Sequence, residues 1–319
     1  MAYIDVFNGD ADGICALTQL RLAEPRSSQL VTGVKRDIAL LQRIHGQAGD
    51  EITVLDVSLD KNREDLERIL AAGARVFYCD HHHAGEIPDS PLLDAHINTA
   101  PDVCTSLLVN GHLGGRFAAW AVVGAFGDNL WDSAARLAAQ LDLSEAQCQL
   151  LQKLGIYMNY NGYGATVDDL HFAPEELYQR VRVHAHPLEF IEQARADFQR
   201  LEEGYQRDMD MAREQPFLLA TEQVAVLSLP DAAWARRVSG VYSNELANGS
   251  PDRAHAVLTE RPNGSYLVSV RAPLNRKAGA DELCREFATG GGRAAAAGIN
   301  ELPAEQLSRF IDRFQDKYR

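Results

Sequence analysis

Short apolar runs alternate with stretches of longer apolar period along the first third of the chain. Residues 3–7, 30–34, 52–57 and 74–79 are rich in β-branched and aromatic side chains and read as strands. Between them, 13–23 and 62–72 repeat apolar residues at helical spacing; Asn62 stands where it could cap the second helix, and Gly73 where it would end it. Strand and helix in alternation predict an α/β fold with a parallel sheet flanked by helices. Further helices are predicted over 104–126, 133–141 and 144–158. From Pro187 to Arg213 the chain is strongly charged with sparse apolar positions at helical spacing, which predicts an exposed joining helix that ends near Pro216. The pattern then restarts: strand-like 224–229, helical 232–247, strand-like 254–259 and 266–270, and helices over 280–288 and 304–317. The predicted organisation is a first domain over 1–186, a helical linker over 187–216 and a smaller α/β domain over 217–319.

Composition narrows the class. With 319 residues, 46% of them hydrophobic, the chain has material for a core in each of two domains. No stretch reaches the roughly eighteen consecutive apolar residues of a membrane span, and the N-terminus carries neither a basic segment nor a small-residue cleavage site. The five cysteines are scattered, odd in number and without a C-x-x-C pair, so a reducing cytoplasm is the expected compartment. The formal net charge of −14 argues against a protein that coats long nucleic acid through a basic face. A small polyanion is still admissible where local arginines or bound cations reverse the potential.

The candidate chemistry lies where the predicted strands stop, the place at which open parallel sheets collect functional residues. The first strand runs into "NGDADG" with Asp10 and Asp12, the third into "VLDVS" with Asp56, and the fourth into "CDHHHAG" with Asp80, His81, His82 and His83. Taken singly, D-x-D-G is a common turn, Asp56 could cap the following helix, and a histidine tract could be a surface feature. Gathered together, carboxylates repel one another and shift upward in pKa unless cations neutralise them. A pair of divalent ions is the expected occupant. Oxygen-rich ligation with one or two histidines suits Mn²⁺, with Mg²⁺ as the alternative. Two such ions can activate water and polarise a phosphoryl group.

These motifs carry a resemblance. "NGDADG", "VLDVS", "CDHHHAG" and "GAFGDN" resemble, in order, the four N-terminal motifs of the DHH family of phosphoesterases, which includes RecJ-type exonucleases, oligoribonucleases and cyclic dinucleotide phosphodiesterases. The resemblance implies that Asp10, Asp12, Asp56, His81 and Asp128 are metal ligands, with Asp56 bridging. It implies that Asp80 orients the histidines, that His82 faces the substrate phosphate or leaving group, and that His83 is an exposed loop residue. "LVSVRAP" followed by "REFATGGGRAAAAGI" resembles the DHH-associated substrate domain. There Arg271 would pair with a phosphate that a loop of Gly290, Gly291 and Gly292 cradles, with Arg276, Lys277 and Arg293 adding positive charge. Substrate would lie in a cleft between the domains.

Two positions depart from the family pattern. Asn8 stands where many members have histidine, and an amide oxygen is the weaker ligand, so one of the two metal sites is expected to be weak. Arg293 stands where histidine commonly follows the glycines; it grips phosphate but shuttles no proton near neutrality. Tyr157, Tyr160 and Tyr163, interleaved with Asn159 and Asn161, read as a packed interdomain loop, with base stacking as the alternative. His184 and His186 read as structural. The expected function is a Mn²⁺-dependent phosphoesterase acting on a short oligonucleotide, a cyclic dinucleotide or a nucleoside bisphosphate. The alternatives are a pyrophosphatase or polyphosphatase, and a nucleotide-binding protein with weakened turnover. No membrane partner is expected, and the oligomeric state is left open, a homo-oligomer included.

Overall fold

A computed structural model describes residues 1–319, which divide into two compact units, Met1–Glu202 and Glu203–Arg319. The division falls inside the charged segment that the sequence marks as a joining helix. That segment is two helices, Pro187–Gln193 and Arg195–Arg213. No helix is long and apolar enough to cross a membrane.

The first unit is built on five strands, β1 (Tyr3–Phe7), β2 (Gln29–Val31), β3 (Glu51–Leu55), β4 (Arg75–Asp80) and β5 (Leu93–Ile97). They are all parallel, in the order β2-β1-β3-β4-β5. Period-two alternation decides the two faces. Ile4 and Val6, Ile52 and Val54, and Val76 and Tyr78 join one core with Leu59, Leu66 and Ile69 of the second helix. The opposite face carries Asp5 and Thr53, both buried, whose polar atoms are satisfied by Arg21. Arg21 comes from α1 (Ala11–Ala23), whose first eleven residues are all buried. This helix is therefore central rather than amphipathic.

Against α1 stand α3 (Thr105–His112), α4 (Ala118–Gly127), α6 (Glu145–Gly162) and α7 (Pro174–Val181); α5 (Trp131–Ala138) packs on α4, and α2 (Leu59–Ala71) covers the other face of the sheet. The helix predicted over 104–126 is broken in two because Gly114 and Gly115 both adopt positive φ, which helical backbone does not allow. Asn62 does not cap α2. It is buried inside the helix, accepting from Leu41 N–H at 3.1 Å and donating to the carbonyls of Ile38 and Ser58. Gly73 does follow the helix end, with φ of 88°. The crossing of α4 and α6 is close: a Cβ on Gly127 would lie 2.9 Å from the Gly155 carbonyl, and one on Gly155 would lie 2.3 Å from the Val123 carbonyl. That approach seats the C-terminal end of α4, and with it Asp128, against the start of α1.

The second unit carries a six-stranded sheet ordered β10-β11-β9-β8-β7-β6, from β6 (Phe217–Ala220), β7 (Val224–Leu229), β8 (Ala254–Glu260), β9 (Tyr266–Arg271), β10 (Gly290–Gly292) and β11 (Ala296–Leu302). Only β7 and β8 pair in parallel; the other pairs are antiparallel. Phe287, Phe310, Phe314 and Tyr318 seal one face of the sheet with Val226, Leu258, Val268 and Ile299. The helix predicted over 280–288 is shorter, Ala280–Cys284, and three strands not predicted from the sequence complete the sheet.

Candidate metal centre

Four loops leaving the carboxyl ends of β1, β2, β3 and β4, together with the ends of α3, α4 and α6, meet in the first unit. Asp10 is the N-cap of α1: its Oδ1 accepts from the N–H groups of Asp12 and Gly13 at 3.0 and 3.1 Å. Asp12 is held by a second helix terminus. Its Oδ2 accepts from Thr105 N–H at 2.8 Å and its Oδ1 from Ser106 N–H at 2.7 Å, at the first turn of α3. Two acids two residues apart are thus each aimed by backbone donors. Asp56 sits just past β3 in left-handed backbone, φ 58°, a conformation that costs a non-glycine residue about 1–2 kcal/mol. It accepts from Thr105 Oγ1 at 3.3 Å. Asp128 is the residue at the C-terminal end of α4.

His81 ties these acids together. Its Nδ1 lies 2.9 Å from the Val103 carbonyl, which can only accept, so Nδ1 carries a proton and Nε2 is the nitrogen turned toward the acids. That Nε2 is 3.4 Å from Asp56 Oδ1 and 3.7 Å from Asp128 Oδ2. Ligand atoms of Asp12, His81 and Asp128 all fall within 4.8 Å of one another, as do those of Asp56, His81 and His82. His82 belongs with Asp80: its Nδ1 donates to Asp80 Oδ1 at 2.7 Å, leaving Nε2 for other work.

The electrostatics are those of a site short of positive charge. Burial pushes the Asp56 carboxyl well above the ordinary carboxylate range, and the charges of Asp10 and Asp12 add to the effect. Burial also raises Asp12, with Asp128 and Asp10 adding to the rise and His81 opposing it. Asp128 Oδ2 is buried without a hydrogen-bond partner, an expensive condition for a carboxylate oxygen unless something cationic sits against it. Two carboxylates, one orphaned carboxylate oxygen and an imidazole nitrogen make a donor set suited to a divalent ion, and the residues present fit one. Burial would lower His82, but the hydrogen bond and charge of Asp80, then Asp56, outweigh it and raise the imidazole above its usual value.

No protein-family model matches the chain, and no curated protein matches it. Solved structures do. Exonuclease RecJ bound to manganese aligns over 98% of this chain and 89% of its own, at TM-score 0.57 and 19% identity. RecJ from Thermus thermophilus in complex with Mn²⁺ aligns over 98% of this chain and 51% of its own, at TM-score 0.61 and 18% identity. PggH, a pGpG-specific phosphodiesterase from Vibrio cholerae, aligns over 99% and 100%, at TM-score 0.56 and 17% identity. The chain shares the fold of RecJ and PggH.

Within that fold, several residues singled out in the sequence are put to other uses. Asn8 spends both ends of its amide on the loop: Oδ1 accepts from Asp10 N–H at 3.3 Å and Nδ2 donates to the Lys35 carbonyl at 3.2 Å. Tyr157, Asn159, Tyr160 and Asn161 are not in a loop. They form the buried last turns of α6, which leaves Tyr157 and Tyr160 no face for a base. Asn161 instead bonds the backbone of His171 and Phe172, and Tyr163 places its ring 5.4 Å from the Lys35 ammonium. His83 is exposed. His184 is buried, and His186 caps the helix Pro187–Gln193 through Nδ1.

In the second unit the three glycines are not a loop but the edge strand β10, paired with β11. Two of them answer to packing: a Cβ on Gly290 would fall 1.7 Å from the Cys284 carbonyl, and Gly292 has φ of 139° with a Cβ position 2.5 Å from Ala297 Cα. Gly291 alone faces open space. Arg293 is exposed in the turn that follows, and Arg271 bonds Asn244 Oδ1 through Nε at 2.7 Å. Arg276 and Lys277 lie in the turn after Pro273, both N–H groups bonding its carbonyl.

The residue that sequence reasoning missed is Lys35, four residues past β2. Its Nζ lies 2.5 Å from Asp10 Oδ2, 2.8 Å from Asn159 Oδ1 and 3.7 Å from Asp128 Oδ1. Burial works against its charge, but Asp10, Tyr163 and Asp128 outweigh that and hold the ammonium well above its usual pKa. Asp10, despite burial, is correspondingly pulled below the usual carboxylate range by Lys35. Position past a strand end was the available signal; no motif marks it.

Two outcomes follow from this balance. Asp128→Asn removes a repelling charge whose Oδ2 has no donor, so the metal-free melting temperature should hold or rise. The same variant should lose most of the Mn²⁺-induced rise, which for the parent protein amounts to about 2.7 kcal/mol at a hundredfold excess over Kd. The second outcome concerns pH. Because the folded Asp56 pKa is raised, the fold favours its protonated form; stability is lost as pH climbs from the unfolded value of about 3.9 through the folded one. Without metal, the wild type should therefore melt progressively lower relative to Asp56→Asn as pH climbs above about 4 toward the raised folded value. A constant gap across that range would contradict the assignment.

Proposed function

We propose that the protein is a divalent-metal-dependent phosphoesterase of the DHH type, hydrolysing a phosphodiester or phosphomonoester bond in a small nucleotide. The observation that carries this reading is the convergence of His81 Nε2, its ring oriented by the Val103 carbonyl, on the carboxylates of Asp56 and Asp128 beside Asp12. Asp12, Asp56, His81 and Asp128 would hold the ion. When bound, it supplies Lewis-acid polarisation of the phosphoryl oxygen and lowers the pKa of water at the site. RecJ structures that contain manganese support Mn²⁺ as that ion.

The chain's own residues supply the rest. Asp80, fully buried, fixes the His82 ring through Nδ1, so that a proton carried on Nε2 can pass to the oxygen of the leaving group. The hydrogen bond and charge of Asp80 favour the protonated His82 ring. Thr105 and Ser106 keep Asp12 from turning away, through backbone donors that no side-chain change removes. In the second unit, Arg271, Arg293 and the backbone around Gly291 are our assignment for phosphate binding.

The net charge of −14 favours a short substrate over long DNA. End-to-end alignment with the pGpG-specific phosphodiesterase supports a linear dinucleotide as the first compound to test. With Mn²⁺, purified protein should release nucleoside monophosphate from pGpG or another dinucleotide. Asp56→Ala should abolish the release, and His82→Ala should slow it by about 10²–10⁴-fold. Tight nucleotide binding with no release would favour a binding protein instead, and release of phosphate from pyrophosphate alone would favour an inorganic pyrophosphatase.

A further inference from the structure

The DHH-type reading calls for a pair of cations, but the acids of this centre are already partly satisfied by a cation that belongs to the chain. We propose that the Lys35 ammonium permanently occupies the place of one of the two ions, so that the centre takes up a single divalent metal. This composition rests on the metal-centre reading above and makes it more specific.

The free ligand atoms decide the number of ions. Among the ligand candidates, Asn8 and Asp10 are the two in the loop after β1 that lie against Lys35, and Asp56 is the expected bridge. Asn8 is the weaker ligand, an amide whose Oδ1 already accepts from Asp10 N–H and whose Nδ2 donates to the Lys35 carbonyl. Asp10 Oδ1 is taken by two backbone N–H groups at the start of α1, and Asp10 Oδ2 by Lys35 Nζ at 2.5 Å. What remains is the other set: Asp12, His81 Nε2, Asp128 Oδ2 and Asp56. Asp12 also accepts two backbone N–H groups, one on each oxygen, but unlike Asp10 it has no cation against it.

Lys35 is also built into its place rather than resting there. Its own N–H donates to the Gly162 carbonyl at 2.8 Å, and its carbonyl accepts from Asn8 Nδ2. Both sides of the residue are therefore pinned, one to the end of α6 and one to the loop after β1. Its ammonium is received by Asn159 Oδ1 at 2.8 Å, a buried amide on α6 with its oxygen toward the cation. Tyr163 sets its ring against the same group. A lysine that merely filled space beside an acid would not need an amide acceptor, an aromatic face and backbone bonds on both sides. A compact ammonium at 2.5 Å from a carboxylate supplies one positive charge where a divalent ion would supply two, and it is never lost by dilution or chelation.

The test is a metal count, independent of turnover. Metal-free full-length protein is titrated with Mn²⁺ by calorimetry, and the loaded protein is examined by electron paramagnetic resonance. The expected result is one ion per chain with the spectrum of an isolated Mn²⁺, and a second, weaker ion in Lys35→Ala together with signals of a coupled pair. Lys35→Gln, which keeps a hydrogen-bond donor without the charge, serves as the second variant if the alanine form does not fold. Two ions in the wild type would overturn the proposal and leave the phosphoesterase reading standing. A count that stays at one in both variants would overturn the assignment of Lys35 to the second place. No binding at all in the wild type would overturn both readings.

Discussion

Mutual repulsion among buried carboxylates is the constraint on which this molecule turns. Asp10, Asp12, Asp56 and Asp128 come from the end of a strand, the start of a helix, the end of another strand and the end of another helix, and all are brought to one point. Each unneutralised charge there opposes the others through protein rather than water. The fold meets the cost in two ways: two helix N-termini direct N–H groups at Asp10 and Asp12, and an internal ammonium neutralises Asp10. What those devices leave over is negative charge with an orphaned oxygen, and that residue of charge is the reason to expect a metal.

The same constraint explains the scaffolding. A left-handed Asp56, a close crossing of α4 and α6, and a central helix buried almost to its end would each be a liability in a protein that needed only to be stable. Here they set the distances. The conformation of Asp56 places its carboxylate under His81, the glycine contact lets Asp128 reach the start of α1, and the burial of α1 fixes Asp10 and Asp12 relative to both.

Much of this was legible from residue order because the rule of functional residues past strand ends needs only strand positions. Strands over 3–7, 52–57 and 74–79 are short, β-branched and bounded, so their ends, and the acids beyond them, could be placed within a residue or two. Other strands were harder. The edge strand β5 reads LDAHI and the interior β11 reads AAGINEL, half-polar or small-residue segments that take their conformation from neighbours rather than from propensity. The glycine triplet misled for the same reason: its freedom to form a loop is also what lets an edge strand pass within contact of Cys284 and Ala297. Lys35 was invisible since a single lysine after a weak strand carries no pattern. Nor does spacing reveal that Val103, Thr105 and Ser106, contributing backbone atoms, orient His81 and Asp12.

The most direct trial of the central claim is diffraction from Mn²⁺-soaked crystals at energies on either side of the manganese absorption edge. The expected result is an anomalous peak bounded by Asp12, Asp56, His81 and Asp128, with the Lys35 side chain still against Asp10. Density for all of these side chains with no peak among them, at Mn²⁺ concentrations that saturate the protein in solution, would contradict it.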